Sequence, residues 1–591
     1  MPLRRLRSAS MRSRENRRME TVLTCRIAGV LALTVLFLAE GPAQERRETG
    51  TKEMPEFRSS SATSGDSSSG ADTGQTSARP LPSIDLPEFV VTGTLTIDLP
   101  MGDKAPAGIE PGAATPFEWP TRSRERISIG GDSEMRKAPL TGGSAGGPAG
   151  RILASIGTFF SPSIEAWAGQ TTSEISYGVQ GSYHRTKGWV EHSDKSGGSL
   201  RSDLDVPLRS TVPLIDQALL SASVGYGLDE YRFYGSIRPA TERQIDSRLL
   251  NLSLRNYTVE ELPFEAAISV RSESVNDSSA RVQENGVELR LHSVFQMDSI
   301  PIDASFRFAS ASETGDALGT LSLFDLAARA RTSAGRDLLL VGGVRLWSLK
   351  GLENQQIVRA LPVVHLEYTG IRNQRIYGAF APEAGYSTLQ TVIGDYPYCS
   401  ARTAIRHSND TQKWVLGVES AWLPSVTTTL EVQYRAVSDF PIPVDSSGFG
   451  IWSLRHEDAA IVSGNAKVVA KLTANDYFAS GLVVRSARAS VAGSSVPFIP
   501  RAEGDVWYQR QCGERVTLLG EFRYCSNRTT DPEEKESLPA YTLVNARVSY
   551  SWLRTLTTFV EFRNMTNRRV EWWKGYSDRP FTAAIGLLLN W

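Results

Sequence analysis

The chain has 591 residues, and its 64 Lys and Arg against 65 Asp and Glu leave a formal net charge of −1. That length exceeds one small core, so several domains or one large closed architecture is expected, and the balanced charge lacks the basic excess that nucleic-acid binding requires. Frequent Gly with plentiful Ser, Thr, Tyr and Trp favours strands over helices.

Residues 1–44 read as a signal peptide. Arg is abundant up to Arg26, and "IAGVLALTVLFLA" (Ile27–Ala39) is an apolar run of about thirteen residues followed by small residues near Ala43. That order of charged, apolar and small-residue regions is the export pattern. Met19 is an alternative start. A membrane anchor would need about twenty apolar residues, and no later stretch reaches that length.

Residues 45–85 are a Ser-rich linker with too little apolar surface to fold. Next comes "LPEFVVTGT" at 86–94, in which Glu88, Phe89, Val90, Val91, Thr92 and Gly93 form a β-prone hexapeptide. Either it is the first strand of the fold, or it is an extended peptide that adds to another protein's sheet edge. Flexible sequence on both sides favours the second. Residues 95–150 are a Gly/Pro-rich connector, a possible occupant of a lumen. Its "GGSAGGPAG" lacks the Lys-Ser/Thr of a phosphate loop.

From 151 to 591 the chain alternates with period two. Val516, Leu518, Gly520, Phe522 and Tyr524 fall on one face, and Thr517, Glu521 and Arg523 on the other, with Leu519 the exception. Leu430, Val432, Tyr434 and Ala436 oppose Thr429, Glu431, Gln433 and Arg435 in the same way. The runs exceed the five or six residues usual in soluble sandwiches, and the polar face carries both signs of charge. An apolar face for lipid and a polar one for a lumen is the transmembrane β-barrel pattern. Ten short turns punctuate it: "QTTSE", "VPLIDQ", "VEELP", "MDSIP", "SAGRD", "GIRNQ", "LPSV", "TANDY", "QCGER" and "WLRT". Longer polar links such as "SNRTTDPEEKES" (526–537) alternate with them. The expected fold is all-β, an antiparallel transmembrane barrel of about 22 strands (range about 18–24) behind a largely disordered N-terminal segment. The chain closes on "FTAAIGLLLNW", with Phe581, Ala583, Ile585, Leu587 and Leu589 on the outward face and Trp591 last. A terminal aromatic on an amphipathic strand suits a signal for the outer-membrane barrel-assembly machinery.

Cys25 lies in the signal, leaving Cys399, Cys512 and Cys525, an odd number that makes no disulfide framework. Cys512 and Cys525 bracket one expected strand, about 40 Å apart. The six histidines (184, 192, 292, 365, 407 and 456) show no ligand spacing, and no nucleophile elbow or cofactor loop appears. No catalytic residue, metal site or cofactor is expected, and no enzyme activity.

Together the two ends carry a family resemblance. "LPEFVVTGT" resembles the TonB-box region of TonB-dependent receptors. The tail "LPAYTLVNARVSY…FVEFRNMTNRRVEWWKGYSDRPFTAAIGLLLNW" is similar to that family's last strands, with Tyr541-x-x-x-Asn545, Asn564-x-Thr566-Asn567, Gly575-Tyr576 and the terminal aromatic in that order. The resemblance implies an outer-membrane receptor barrel in a Gram-negative-type envelope, coupled to TonB through Glu88–Gly93. It also implies a plug of well over a hundred residues between box and barrel. Fewer than about sixty residues separate Gly93 from the first barrel strand here, so a normal plug is not expected. Two functions follow: transport of an unidentified solute across the outer membrane, or a plugless barrel serving as scaffold or passive pore. The partners expected are the lipid bilayer, the assembly machinery and TonB, and not nucleic acid.

Overall fold

The computed structural model describes residues 149–591, except 173, 213, 257–261, 278, 279, 317, 318, 354, 424, 446, 447, 491 and 492. The signal, the linker, the motif at 86–94 and the connector up to 148 lie outside the described residues.

Twenty-two antiparallel strands form one closed wall, from Ala149–Gly157 to Thr582–Asn590. A two-residue piece, Glu383–Ala384, extends the sheet at its rim. The first strand begins at Ala149, so Ala149 and Gly150 belong to the wall and not to the connector. It pairs with the last strand, in register from Arg151 opposite Asn590 to Gly157 opposite Ala584. Beyond that ladder Gly150 and Trp591 exchange two N–H···O=C bonds of 3.0 Å each. A Cβ on Gly150 would lie 2.0 Å from Cζ2 of Trp591, so the indole fits against the seam only because this residue is glycine. Closure pairs every backbone edge, which a wall in lipid requires.

The alternation in sequence becomes the two faces of the wall. Leu430, Val432, Leu518, Phe522, Ile585, Leu587 and Leu589 are all exposed on the outside. Thr429, Glu431, Thr517, Glu521 and Arg523 point into the lumen, where Glu521 meets Arg523 and Asn545. At the end where the first strand starts, the exposed aromatics Tyr177, Tyr368, Trp422, Tyr508, Trp552 and Trp591 make a girdle, as at the membrane interface of outer-membrane barrels.

All ten short turns read from the sequence join strands at this same end, called here the near end. The links at the far end are more varied: only Thr158–Phe160 after the first strand, but 381–408, 490–501, 526–540 and 564–581 later in the chain. Wall height varies too. Strands beside the seam have 8 to 11 residues, while Val426–Val444 and Ser453–Lys471 each have 19. Nineteen residues at about 3.4 Å each reach ~65 Å. Even tilted, that exceeds an apolar band of ~25 Å. The long strands therefore stand out of the membrane at the far end.

Cys512 ends the strand Ala502–Cys512, and Cys525 ends the next strand, Val516–Cys525, at the opposite rim. Neither of them, nor Cys399, is in a disulfide.

Candidate functional site

The feature that bears on function is at the far end. There the loops do not stand open; they fold together over the mouth. One hydrophobic cluster combines Tyr231, Ile245, Val275 and Leu321 from one arc of the wall, and Phe233 just past the end of its strand, with Leu389, Val392, Ile393, Tyr396 and Tyr398 from the loop 381–408. Trp452, Phe498, Leu538, Trp573 and Tyr576 join it from four other loops. Apolar side chains of this size would be unfavourable in water-exposed loops. Burying each one gains about 1.5–3 kcal/mol, and that drives the loops onto one another.

The local sequence prepares the central loop for this. Thr388 caps a seven-residue helix, α1 (Leu389–Asp395): its hydroxyl accepts from Thr391 N–H, and the Thr391 hydroxyl accepts from Thr388 N–H in return. This is a capping box with Thr in place of the usual Glu or Gln. The helix turns Leu389, Val392 and Ile393 into the cluster.

Polar contacts fix the position of the same loop. Arg243 is fully buried (0% exposed). Its guanidinium donates to both oxygens of Asp277 at 2.6 Å, to Pro397 O at 2.9 Å and to Cys399 O at 2.6 Å, and it lies over the Phe233 ring at 4.7 Å. A planar fork with five donors matches a carboxylate and two carbonyls in a way that lysine cannot. Tyr231 adds its hydroxyl to Pro397 O at 2.7 Å. At the other end of the loop, His407 N–H and O bond the side chain of Gln355, each at 2.8 Å. Ser387 N–H donates to His407 Nδ1, so Nε2 carries the proton and donates to Lys350 O. Burial holds this imidazole down, at about 4, and so neutral.

Loop-to-loop bonds complete the cap. Tyr398 stacks on Tyr576 with centroids 3.5 Å apart. Tyr576 donates to Gly450 O, Tyr234 to Ser577 O, and Ile237 N–H to Phe449 O. Arg528 donates to Glu571 O and sits between Tyr541 and Trp572. The tail residues quoted from the sequence are part of this build. Asn545 accepts from Asn564 N–H, Asn564 Nδ2 donates to the carbonyls of Arg568 and Arg579, and Tyr576 carries the loop into the cap.

Below the cap the lumen is lined by charges of both signs, joined across strands. Arg345 grips Asp325 with two bonds, Arg435 holds Asp410, Glu288 accepts from Arg290 and Arg307, and Glu561 lies between Arg547 and Arg563. Each of these carboxylates is matched by at least one guanidinium from its own or a neighbouring strand.

The sequence-predicted sites fall apart from this region. Glu88, Phe89, Val90, Val91, Thr92 and Gly93 lie outside the described residues. Phe581, Ile585, Leu587, Leu589 and Trp591 stand on the outer face at the seam, all exposed. The six histidines stay scattered, and among the described residues no group of three or more His, Cys, Asp or Glu is placed to hold a metal ion. The cap was missed by sequence reasoning. Its signal was present: Tyr396, Tyr398, Trp452, Phe498, Trp572, Trp573 and Tyr576 are large aromatics in links between strands, where polar residues are the norm.

No family model and no curated protein matches the chain. Solved structures do share its fold. The copper transporter OprC superposes with a TM-score of 0.61 at 13% identity, covering 76% of this chain and 81% of that one. The siderophore receptor PiuA from Acinetobacter baumannii gives 0.60 at 10% identity, covering 76% and 82%. The FrpB iron transporter from Neisseria meningitidis gives 0.59 at 9%, also covering 76% and 82%. The fold is the 22-strand barrel of TonB-dependent receptors.

Proposed function

We propose that this chain is a TonB-dependent-receptor-like barrel of the Gram-negative outer membrane that passes a solute across it, with the loop cap as its outer gate. The observation that carries the reading is the cap itself. It closes a membrane-spanning barrel of receptor size, yet it is assembled from separate loops that can part. In such barrels the short turns face the periplasm, which puts the cap outside. The fold neighbours include a copper transporter, an iron transporter and a siderophore receptor. They support a metal ion or a metal complex as the class of solute.

Glu88–Gly93 is then a tethered docking strand for TonB, which would pull from the periplasmic side. Phe581, Ile585, Leu587, Leu589 and Trp591 are the strand face offered to the assembly machinery. The fold favours transport over catalysis, and no reaction is proposed.

The test is electrical. The purified barrel in planar bilayers should conduct little while the cap is closed and far more when a cap anchor is removed. The native protein should fractionate with outer membranes and migrate heat-modifiably on gels. Recovery in the soluble periplasm would end this reading. The closed cap also favours a second reading, a sealed scaffold, because it presents Ile237 and Phe449 outward as an apolar crown. A barrel that stays closed after the cap is loosened would favour the scaffold.

A further inference from the structure

Just beneath the cap three glutamates stand side by side. Glu273 faces Glu284 across one pair of strands, and Glu284 faces Glu313 across the next. Residues directly opposed on one face have Cβ atoms about 4.5–5.5 Å apart, close enough for like charges to repel. All three are buried, Glu313 at 3% exposure. Their neighbours on the outer face at this level are Ser272, Ser274, Asn285 and Ser312, so the row sits above the apolar belt, in the part of the wall that leaves the membrane.

Compensation is concentrated on the middle residue. Arg271 Nε lies 3.3 Å from Glu284 Oε1, and Leu389 N–H, the first of α1, donates to Glu284 Oε2 at 2.8 Å. Neither oxygen of Glu313, nor Oε1 of Glu273, has a hydrogen-bond partner. Other titratable groups surround the row. Asp229 and Asp246 add negative charge near Glu273, and His184 lies 3.8 Å from Asp229. Tyr386 packs on Arg271 at 5.4 Å and on His407 at 4.8 Å. Two lumen-facing positions deeper, past Gly286, Glu288 is held by Arg290 and Arg307. The first turn of α1 brings no acid and its last turn no base.

We propose that Glu273, Glu284 and Glu313 form a proton-binding latch for the cap, an inference that rests on reading the cap as a gate. In the closed state Glu284 is ionised against Arg271 and anchors α1, while Glu273 and Glu313 each hold a proton taken from bulk water. One guanidinium cannot balance three charges in a dry row. When the pH rises those two protons leave, the row repels itself, and hydrating it requires the loop 381–408 to lift. The sign follows: the closed state binds more protons than the open one, so closure weakens as pH rises.

Amide hydrogen exchange of residues 388–399 tests this in the full-length protein in phosphatidylcholine vesicles. Native chain and Glu273→Gln/Glu313→Gln are compared at matched pH between about 5 and about 9, a range that spans the rise of Glu313 to about 7 caused by burial and by Glu284; His407 acts on both chains alike and drops out of the ratio. Native exchange should outrun that of the variant by a factor that grows with pH, reaching about tenfold or more. A ratio that stays constant across the range overturns the latch. Glu313→Gln alone serves if the double variant loses heat-modifiable migration; it should show a smaller effect of the same sign, and a constant ratio there overturns the latch equally. This readout follows the cap and not conduction. A barrel whose conductance ignores the cap would therefore overturn the gate while leaving the latch result standing.

Discussion

Arg243→Ala isolates the strongest anchor of the cap. The change removes two bonds to Asp277 and the bonds to Pro397 O and Cys399 O, all between 2.6 and 2.9 Å. It leaves the buried Asp277 carboxylate with no counter-charge. Removing one partner of a buried ion pair costs ~3–5 kcal/mol. If that cost falls on the closed state, and hydration relieves it in the open one, the closed-to-open ratio drops by about two to three and a half orders of magnitude at ~1.4 kcal/mol per tenfold. The barrel below is untouched, so heat-modifiable migration should persist while planar-bilayer conductance rises sharply. Replacing both partners, Arg243→Met with Asp277→Leu, should restore much of the closure, because an apolar pair of similar volume can stand in for a buried ion pair. Native-like conductance of Arg243→Ala in an intact barrel would refute the argument that this anchor holds the gate.

Other perturbations test the seam, the tether and the cap's acid limit. Gly150→Val drives a side chain into the Trp591 indole and should lower the heat-modifiable form; full outer-membrane levels would show that the seam tolerates the clash. Trp591→Asp puts a charge on the lipid side, costing up to ~2–4 kcal/mol at the midplane and less near the interface, and should appear as failed insertion in membrane fractions. Val90→Pro removes a donor from the docking strand; crosslinking of this segment to TonB should vanish while barrel insertion continues, and a folding failure would place the segment in the wall instead. His407 is held neutral, its folded value of about 4 lying below the ordinary 6.5. The opened loop therefore binds more protons between those values, and closure is lost as pH falls through that window. In the Glu273→Gln/Glu313→Gln background, which removes the latch, exchange of residues 385–408 divided by the intrinsic amide rate should rise as pH drops from 6.5 toward 4, and a flat profile would contradict the burial argument.

The wall was legible because its cause is local. Alternation such as Thr517, Glu521 and Arg523 against Leu518, Phe522 and Tyr524 follows from the two-residue period of a strand between lipid and water. The ten short turns could be placed on one end because strands of a barrel reverse in pairs. The cap was not legible because its contacts join residues far apart in the chain, Arg243 with Cys399 and Tyr576 with Gly450. No periodicity records such pairs. The helix α1 escaped for a related reason: seven residues are too few to show a helical period, and only its Thr388–Thr391 cap marks it. The glutamate row needs the register of three strands before Glu273, Glu284 and Glu313 become neighbours.

The uneven height of the wall has a consequence for the surrounding lipid. The strand Leu556–Arg563, next to the last strand, has only 8 residues, so its rise is ~27 Å along its own axis. Tilted as barrel strands are, it covers only ~20 Å of membrane thickness, short of a ~25 Å apolar band. Only five to six strands away around the barrel, the 19-residue strands overshoot that band. The bilayer must pinch inward along the seam and keep its full depth elsewhere, at a cost of fractions of a kcal/mol per Å of mismatch. A collar of thinned lipid on one flank would give this barrel a preferred azimuth among its neighbours. It would also place the ladder of only seven residue pairs between first and last strands where the hydrocarbon is least able to hold it shut.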